Sequence, residues 1–185
     1  MAEQDSFELS TTIQSTAMQV LFAFLDPSAI KTWWGAKNAV VQPRPGGLFV
    51  VEWAPGENDD ILGPQGGVLA GFLDNSQAGH FVRFGGLHWM TPRGDVFGPT
   101  RIEVNVFSKG DPRRKPTLLR LSVDGFQSGP QWERYRQRSQ RTWEATLPRL
   151  KSWCESQAPA DVEADVAPLG DTYLAESVLQ GRRIS

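Results

Sequence analysis

The chain has 185 residues, enough for one domain that buries roughly 70% of its unfolded surface. A net charge of −2 gives no general attraction to nucleic acids or anionic lipids. The mean hydropathy is −0.36 and no apolar run approaches the ~20 residues of a membrane-spanning helix. Cys154 is the single cysteine, which excludes an intrachain disulfide, and the first ten residues lack a secretory signal pattern. We therefore expect a cytoplasmic protein without membrane insertion.

The first elements along the chain are predicted to be a strand and two consecutive short helices. Ser6–Ile13 alternates apolar and polar residues, which predicts a strand. Ser15 is then the expected N-cap of a first helix. The apolar stripe of that helix recurs at steps of three and four: Met18, Leu21, Phe22 and Leu25. Asp26-Pro27 ends it, because proline disfavours helical geometry at the preceding residue. A second short helix is expected at Ser28–Trp34.

Glycine and proline divide the next part of the chain into short β-rich stretches. Five further strands are predicted: Leu48–Trp53, Val68–Leu73, Phe81–Gly85, Thr100–Phe107 and Thr117–Val123. One-sided alternation in the last two is typical of an antiparallel sheet with one face in water. The pairs Gly46-Gly47, Gly66-Gly67 and Gly85-Gly86 are suited to bending such a sheet.

The longest predicted helix is Pro130–Cys154. Its apolar stripe also follows steps of three and four: Trp132, Tyr135, Ser139, Trp143, Leu147 and Leu150. Most of the arginines lie off this stripe: Arg134, Arg136, Arg138 and Arg141. Residues 155–181 contain six acidic residues and no Lys or Arg. We therefore expect one domain at residues 1–154 and an acidic, disordered tail at residues 155–185.

Four motifs carry a resemblance to a known family. Phe22–Gly35 has the pattern F-x-F-L-D-P-S-A-I-K-T-W-W-G, Pro43–Phe49 has P-x-P-G-G-x-F, and Gly66–Leu69 reads GGVL. Trp143–Trp153 follows W-x-x-x-L-x-x-L-K-x-W. Over about residues 5–155 the chain resembles the START-like, or SRPBCC, superfamily. Within it, the chain is similar to the branch homologous to the activator of the 90-kDa heat-shock protein ATPase.

The resemblance implies an α+β helix-grip fold, also called birch-pollen-allergen-like. In this fold a curved antiparallel sheet of about six strands holds two short helices and a long C-terminal helix, with a cavity between sheet and helix. Our leading hypothesis is a non-enzymatic protein that binds a hydrophobic small molecule or a protein partner there. We name these cavity candidates: Trp34, Phe49, Val51, Trp53, Phe72, His88, Ile102, Val104, Leu121, Tyr135 and Trp143. The alternative is that the aromatic side chains fill the interior.

Two further functions follow from the resemblance. A polyketide cyclase-like enzyme would use the same cavity and needs polar groups aimed into it, with these candidates: Arg83, His88, Asp95 and Tyr135. A co-regulator of a heat-shock chaperone ATPase is the other.

Other chemistry has weaker support in the sequence. His80 and His88 are the only histidines, and no Cys, His and carboxylate set has metal-site spacing, so no metal or cofactor is expected. Asp59-Asp60 is interpreted as a solvated loop. The basic residues of the last helix and of Arg113–Lys115 do not predict nucleic-acid binding, but they are suited to an acidic partner or the acidic tail.

Overall fold

The computed structural model describes residues 5–56, 59–60, 63–64, 66–108, 110–111 and 113–157. Most of the predicted acidic tail therefore lies outside the described residues. The strands are β1 (Ser6–Ile13), β2 (Asn38–Val41), β3 (Leu48–Trp53), β4 (Asp59–Asp60), β5 (Gly63–Pro64), β6 (Gly67–Gln77), β7 (Phe81–Met90), β8 (Val96–Ser108) and β9 (Thr117–Asp124). The helices are α1 (Ala17–Leu25), α2 (Pro27–Trp33) and α3 (Pro130–Gln157).

The main sheet is antiparallel, and its seven strands follow the order β1-β9-β8-β7-β6-β3-β2. Strands β4 and β5 form a separate two-stranded ribbon. The sheet curves around α3, as the helix-grip prediction requires. The seventh strand is β2, which the sequence did not predict because four residues with a polar start carry too little alternation.

A side chain caps the N-terminus of each of the two short helices. Thr16 Oγ1 accepts a hydrogen bond from Gln19 N at 3.2 Å, so Thr16 is the N-cap of α1 and the prediction of Ser15 is wrong. Asp26 serves both helices. Its backbone N donates to the last turn of α1, while its Oδ1 accepts from Ala29 N at 2.7 Å. Ser15 is instead buried, with its carbonyl oxygen bonded to the Thr117 hydroxyl at 2.8 Å.

The buried face of α1 differs from the predicted stripe. Met18 and Phe22 are 47% and 50% exposed, whereas Val20 and Phe24 are buried. Nearly every residue of α1 is apolar, so periodicity alone does not select a face. The face is set by where the sheet and α3 lie.

Strands β6 and β7 depart from regular pairing, and glycines lie at these irregularities. The register shifts between Ala70 and Phe72 in β6, and again between Phe84 and Leu87 in β7. A Cβ on Gly71 would lie 2.6 Å from the carbonyl oxygen of Gly85, so the two backbones approach too closely for a side chain. The predicted bend at Gly85-Gly86 coincides with the shift in β7.

The core lies between the concave face of the sheet and the three helices. Alternate residues of β8 and β9 point into it, including Val104 and Leu121 at 0% exposure. Helix α3 contributes these buried residues: Tyr135, Trp143, Thr146, Leu147, Leu150 and Cys154. Its predicted stripe is therefore buried at Tyr135, Trp143 and both leucines.

Candidate functional site

An open cleft of about 810 Å³ lies between α3 and one end of the sheet. The sheet side is formed by the ends of β3 and β7, the start of β6 and the segment after α2. The helix side is formed by residues of α3 between Arg134 and Arg149. A smaller depression of about 160 Å³ near the start of α3 is lined by Trp132, Glu133 and Arg136 among others. Only the larger space has the volume typical of small-molecule sites, roughly 300–1,000 Å³.

Aromatic rings line the cleft in two groups. At one end, the Trp34 ring lies 4.6 Å from that of Trp143 and 5.0 Å from that of Trp53, measured between centroids. At the other end, Trp89 stacks on Tyr135 at 5.1 Å. Four of these five are buried, with Trp53 partly exposed. Neighbouring parts of the protein therefore cover most of the surface of these rings.

The indole N–H groups around the cleft are not equivalent. Trp53 Nε1 donates to the carbonyl oxygen of Trp34 at 3.2 Å, and Trp89 Nε1 donates to that of Gly66 at 2.9 Å. Trp34 Nε1 has no hydrogen-bond partner among the described residues, although the residue is only 7% exposed. A buried indole N–H normally has an acceptor. Trp34 therefore lines the cleft with part of its ring, while its N–H is enclosed by the protein.

Positive charge follows the helix side of the cleft. Four arginines of α3 line it: Arg134, Arg138, Arg141 and Arg149. The Arg138 guanidinium carbon lies 5.2 Å from the centre of the Trp89 ring, a cation–π contact. The Arg149 guanidinium lies beside Gly35, where an added Cβ would be 3.1 Å from Nη2. No carboxylate lines the cleft in the described part of the chain.

The predicted cavity residues fall into three groups in the structure. Four of them line the cleft: Trp34, Trp53, Tyr135 and Trp143. Five are buried in the core away from its lining: Phe49, Val51, Ile102, Val104 and Leu121. The remaining two, Phe72 and His88, point outward and are discussed next. Side chains thus fill the core at these five positions, and the open cleft lies between α3 and one end of the sheet.

The prediction that Phe72 and His88 face inward is wrong. Leu69 and Leu73 are buried, so alternation along β6 places Phe72 on the outer face, where it is 40% exposed. Its ring covers Gly86, where an added Cβ would be 2.4 Å from Phe72 Cε1. His88 lies between two buried residues of β7 and is itself exposed, with Nδ1 2.9 Å from the Gly86 carbonyl oxygen.

Of the four polar groups predicted for a cyclase, three lie outside the cleft and one lines it. Arg83 bonds Glu103 at 2.6 Å outside the cleft, and Asp95 is exposed at the turn after β7. Only Tyr135 lines the cleft. Burial raises the pKa of its phenol to about 12, against a smaller opposite effect of a hydrogen bond with Thr100. The phenol therefore stays protonated at neutral pH and acts as a poor base.

The sequence analysis did not identify Trp89 and Arg149 as cleft residues. It also placed Arg136 in one basic group with arginines that line the cleft. Arg136 bonds Glu133 at 2.8 Å and borders the smaller depression. The signal for the cleft arginines was their spacing of four, three and eight residues, which keeps them on one side of a helix. The location of Trp89 depends on the register shifts in β7. These shifts cannot be recognised from the alternation of apolar and polar residues in the sequence.

Two further properties of the described residues bear on function. They contain no group of three or more His, Cys, Asp or Glu side chains placed to hold a metal ion. None of the helices within the described ranges has the length and apolar character needed to cross a bilayer.

Comparisons with known proteins support the fold. No family model matches the chain, and no curated protein does. Solved structures do match. Protein CV1439 from Chromobacterium violaceum superposes with a TM-score of 0.63 and 16% identity over 83% of this chain and 99% of its own.

Two other structures match the resemblance seen in the sequence. The AHSA1-like protein from Aeromonas hydrophila has a TM-score of 0.53 and 18% identity, over 81% of this chain and 93% of its own. The Aha1 dimer from Colwellia psychrerythraea has a TM-score of 0.57 and 13% identity, over 81% and 96%. Identities this low establish a shared architecture and leave the activity open. The chain therefore has the helix-grip fold of AHSA1-like proteins.

Proposed function

We propose that this protein binds an apolar small molecule in the cleft between α3 and the sheet. The observation that carries the proposal is an open space of about 810 Å³ walled by the rings of Trp34, Trp89 and Trp143. Burying the apolar part of the cleft lining against a ligand is favourable at roughly 25 cal/mol per Å² before ordering costs.

A small molecule fits this geometry better than a protein surface does. Trp34 and Trp89 are each 7% exposed and Trp143 is 4% exposed, so these rings present little surface to a protein partner. A flat protein face would meet the rim, which is formed largely by arginines and small polar residues of α3. The cyclase function has little support, because three of its four candidate polar groups lie outside the cleft. The comparisons establish only the fold, so they give no independent support to chaperone regulation.

The proposal is tested by titrating the uncharged fluorophore N-phenylnaphthylamine into the full-length protein and recording its emission. We expect saturable enhancement in the wild type. Ala145 lies on the cleft side of α3 and is exposed, so Ala145→Phe fills the cleft without disturbing the core. We expect this variant to weaken binding at least about tenfold.

Glu144 provides the matched control, because it is the preceding residue of α3, is exposed and does not line the cleft. Glu144→Phe adds the same ring to the same helix, and we expect unchanged binding. Equal loss in both variants, or no saturable binding in the wild type, would contradict the proposal.

A further inference from the structure

The charges along the cleft point to a more specific ligand. Building on the proposed function, we infer that the ligand is an organic anion. Its apolar body would lie against the indole rings, and its acidic group would be bound by arginines of α3. Three observations support this inference: where the arginines lie, which partners they have, and which aromatic rings lie beside them.

The four cleft arginines form one line along α3. At 1.5 Å per residue, Arg134 and Arg149 are about 22 Å apart along the helix axis, while Arg138 and Arg141 are separated by about one turn. The Arg149 guanidinium lies near Gly35, the residue that follows Trp34, and Arg138 lies over Trp89. Each aromatic end of the cleft therefore has a guanidinium group next to it.

Ion pairing distinguishes three of these arginines from five arginines elsewhere in the described residues. Arg83, Arg101, Arg113, Arg120 and Arg136 each form an ion pair with a carboxylate. In contrast, Arg134, Arg141 and Arg149 form none within the described ranges. Several guanidinium groups facing one space without a carboxylate raise the positive potential there. A bound anion would offset the mutual repulsion of these guanidinium groups. Its attraction to them is stronger inside a cleft than on an open surface, because less water screens the charges.

The third observation is the aromatic lining beside these arginines. Trp34, Trp53 and Trp143 line this end of the cleft together. Arginine offers only donors. The groups that line this end are therefore guanidinium donors beside aromatic rings. A carboxylate or sulfonate on an aromatic or other apolar body complements both, with charge-assisted hydrogen bonds to the guanidinium groups.

The test compares two probes that share one ring system. N-phenylnaphthylamine is uncharged, and anilinonaphthalene sulfonate carries an added sulfonate. Both are titrated into full-length wild type, Arg141→Gln/Arg149→Gln, and Arg136→Gln. Arg136 belongs to the same helix but lies outside the cleft and is paired with Glu133, so it is the matched control. Urea unfolding of each protein shows that the variants retain their fold.

We expect the double variant to lose about tenfold in affinity for the sulfonate while its affinity for the uncharged probe changes less than about twofold. Arg136→Gln should change neither affinity. Added salt should weaken sulfonate binding only, because screening acts on the charge.

The two proposals fail in different ways. If the uncharged probe does not bind the wild type, the apolar cleft itself is refuted, and with it the anionic ligand. If that probe binds but the double variant leaves sulfonate affinity unchanged, only the anionic ligand is refuted.

Discussion

Replacement of Trp143 by alanine tests whether α3 and the sheet share one core. Trp143 is 4% exposed, with its ring 4.6 Å from that of Trp34 and 6.3 Å from that of Trp33. Its substitution therefore removes the contact between the long helix and the segment that contains α2. The side chain also forms part of the cleft wall, so one edge faces open space.

The magnitude follows from the buried area. A tryptophan buries about 150–250 Å², which corresponds to about 4–6 kcal/mol at 25 cal/mol per Å². This figure is an upper bound, because the unfolded chain already buries part of that area. Trp-to-Ala replacements in cores cost about 3–5 kcal/mol. Because the cleft leaves one edge of the ring unpacked, we expect about 3 kcal/mol for Trp143→Ala.

The assay is urea unfolding followed by far-ultraviolet circular dichroism. With a slope of about 2 kcal/mol per molar urea, the midpoint should fall by about 1.5 M. Trp153 is the control, since it lies on the same helix but is only partly buried. Trp153→Ala should cost about 1 kcal/mol. Equal losses in the two variants, or a loss below about 1 kcal/mol for Trp143→Ala at unchanged slope, would refute the shared core.

Three other predictions follow from local geometry. Gly67 and Gly94 have φ of 91° and 95°, but a Cβ on Gly67 would lie 2.1 Å from the Met90 carbonyl oxygen, whereas Gly94 has open space. In urea unfolding, Gly67→Ala should therefore cost roughly 1–3 kcal/mol more than Gly94→Ala, and equal costs would contradict the clash. Burial, assisted by Glu155, raises the pKa of the Cys154 thiol to about 12. A disulfide-exchange reagent at neutral pH should label it roughly a hundredfold or more slowly than in denaturant, and equal rates would exclude burial. Hydrogen bonds from Asn105 first and Arg83 next lower the pKa of Glu103 below 4.5. Its charge therefore stabilises the fold above that pH, so Glu103→Gln should be less stable than wild type at neutral pH. The difference should close as pH falls through the folded-state pKa, and a difference that persists in acid would argue against the ion pair.

The elements with strong one-sided alternation were predictable from sequence. Strands β1 and β3 begin and end at the predicted residues, because alternating apolar residues there face a core on one side. The α3 stripe was predictable for the same reason at Tyr135, Trp143, Leu147 and Leu150. Strands β6, β7 and β8 extend beyond their predicted ends. The added segments are polar or include glycine, and they belong to the strands because they pair with the neighbouring strand.

The candidate site was less predictable than the fold. The tryptophans of the cleft were visible as large apolar residues, but the sequence cannot tell which part of the interior is open. Phe72 points outward because the buried Leu69 and Leu73 occupy the opposite face of β6. Its ring packs over Gly86 instead. The arginines were visible as a basic patch. Their relation to the cleft depends on how α3 lies on the sheet, and this is a tertiary property.

The most direct test of the account is a proton–nitrogen correlation spectrum of the indole groups during titration with N-phenylnaphthylamine. Each of the seven tryptophans contributes one side-chain signal. Binding in the cleft predicts shifts for Trp34, Trp53, Trp89 and Trp143, which line it. Trp132 and Trp153, which do not line the cleft, should stay in place. Shifts confined to those two signals would contradict the account, as would the absence of any shift at saturating probe.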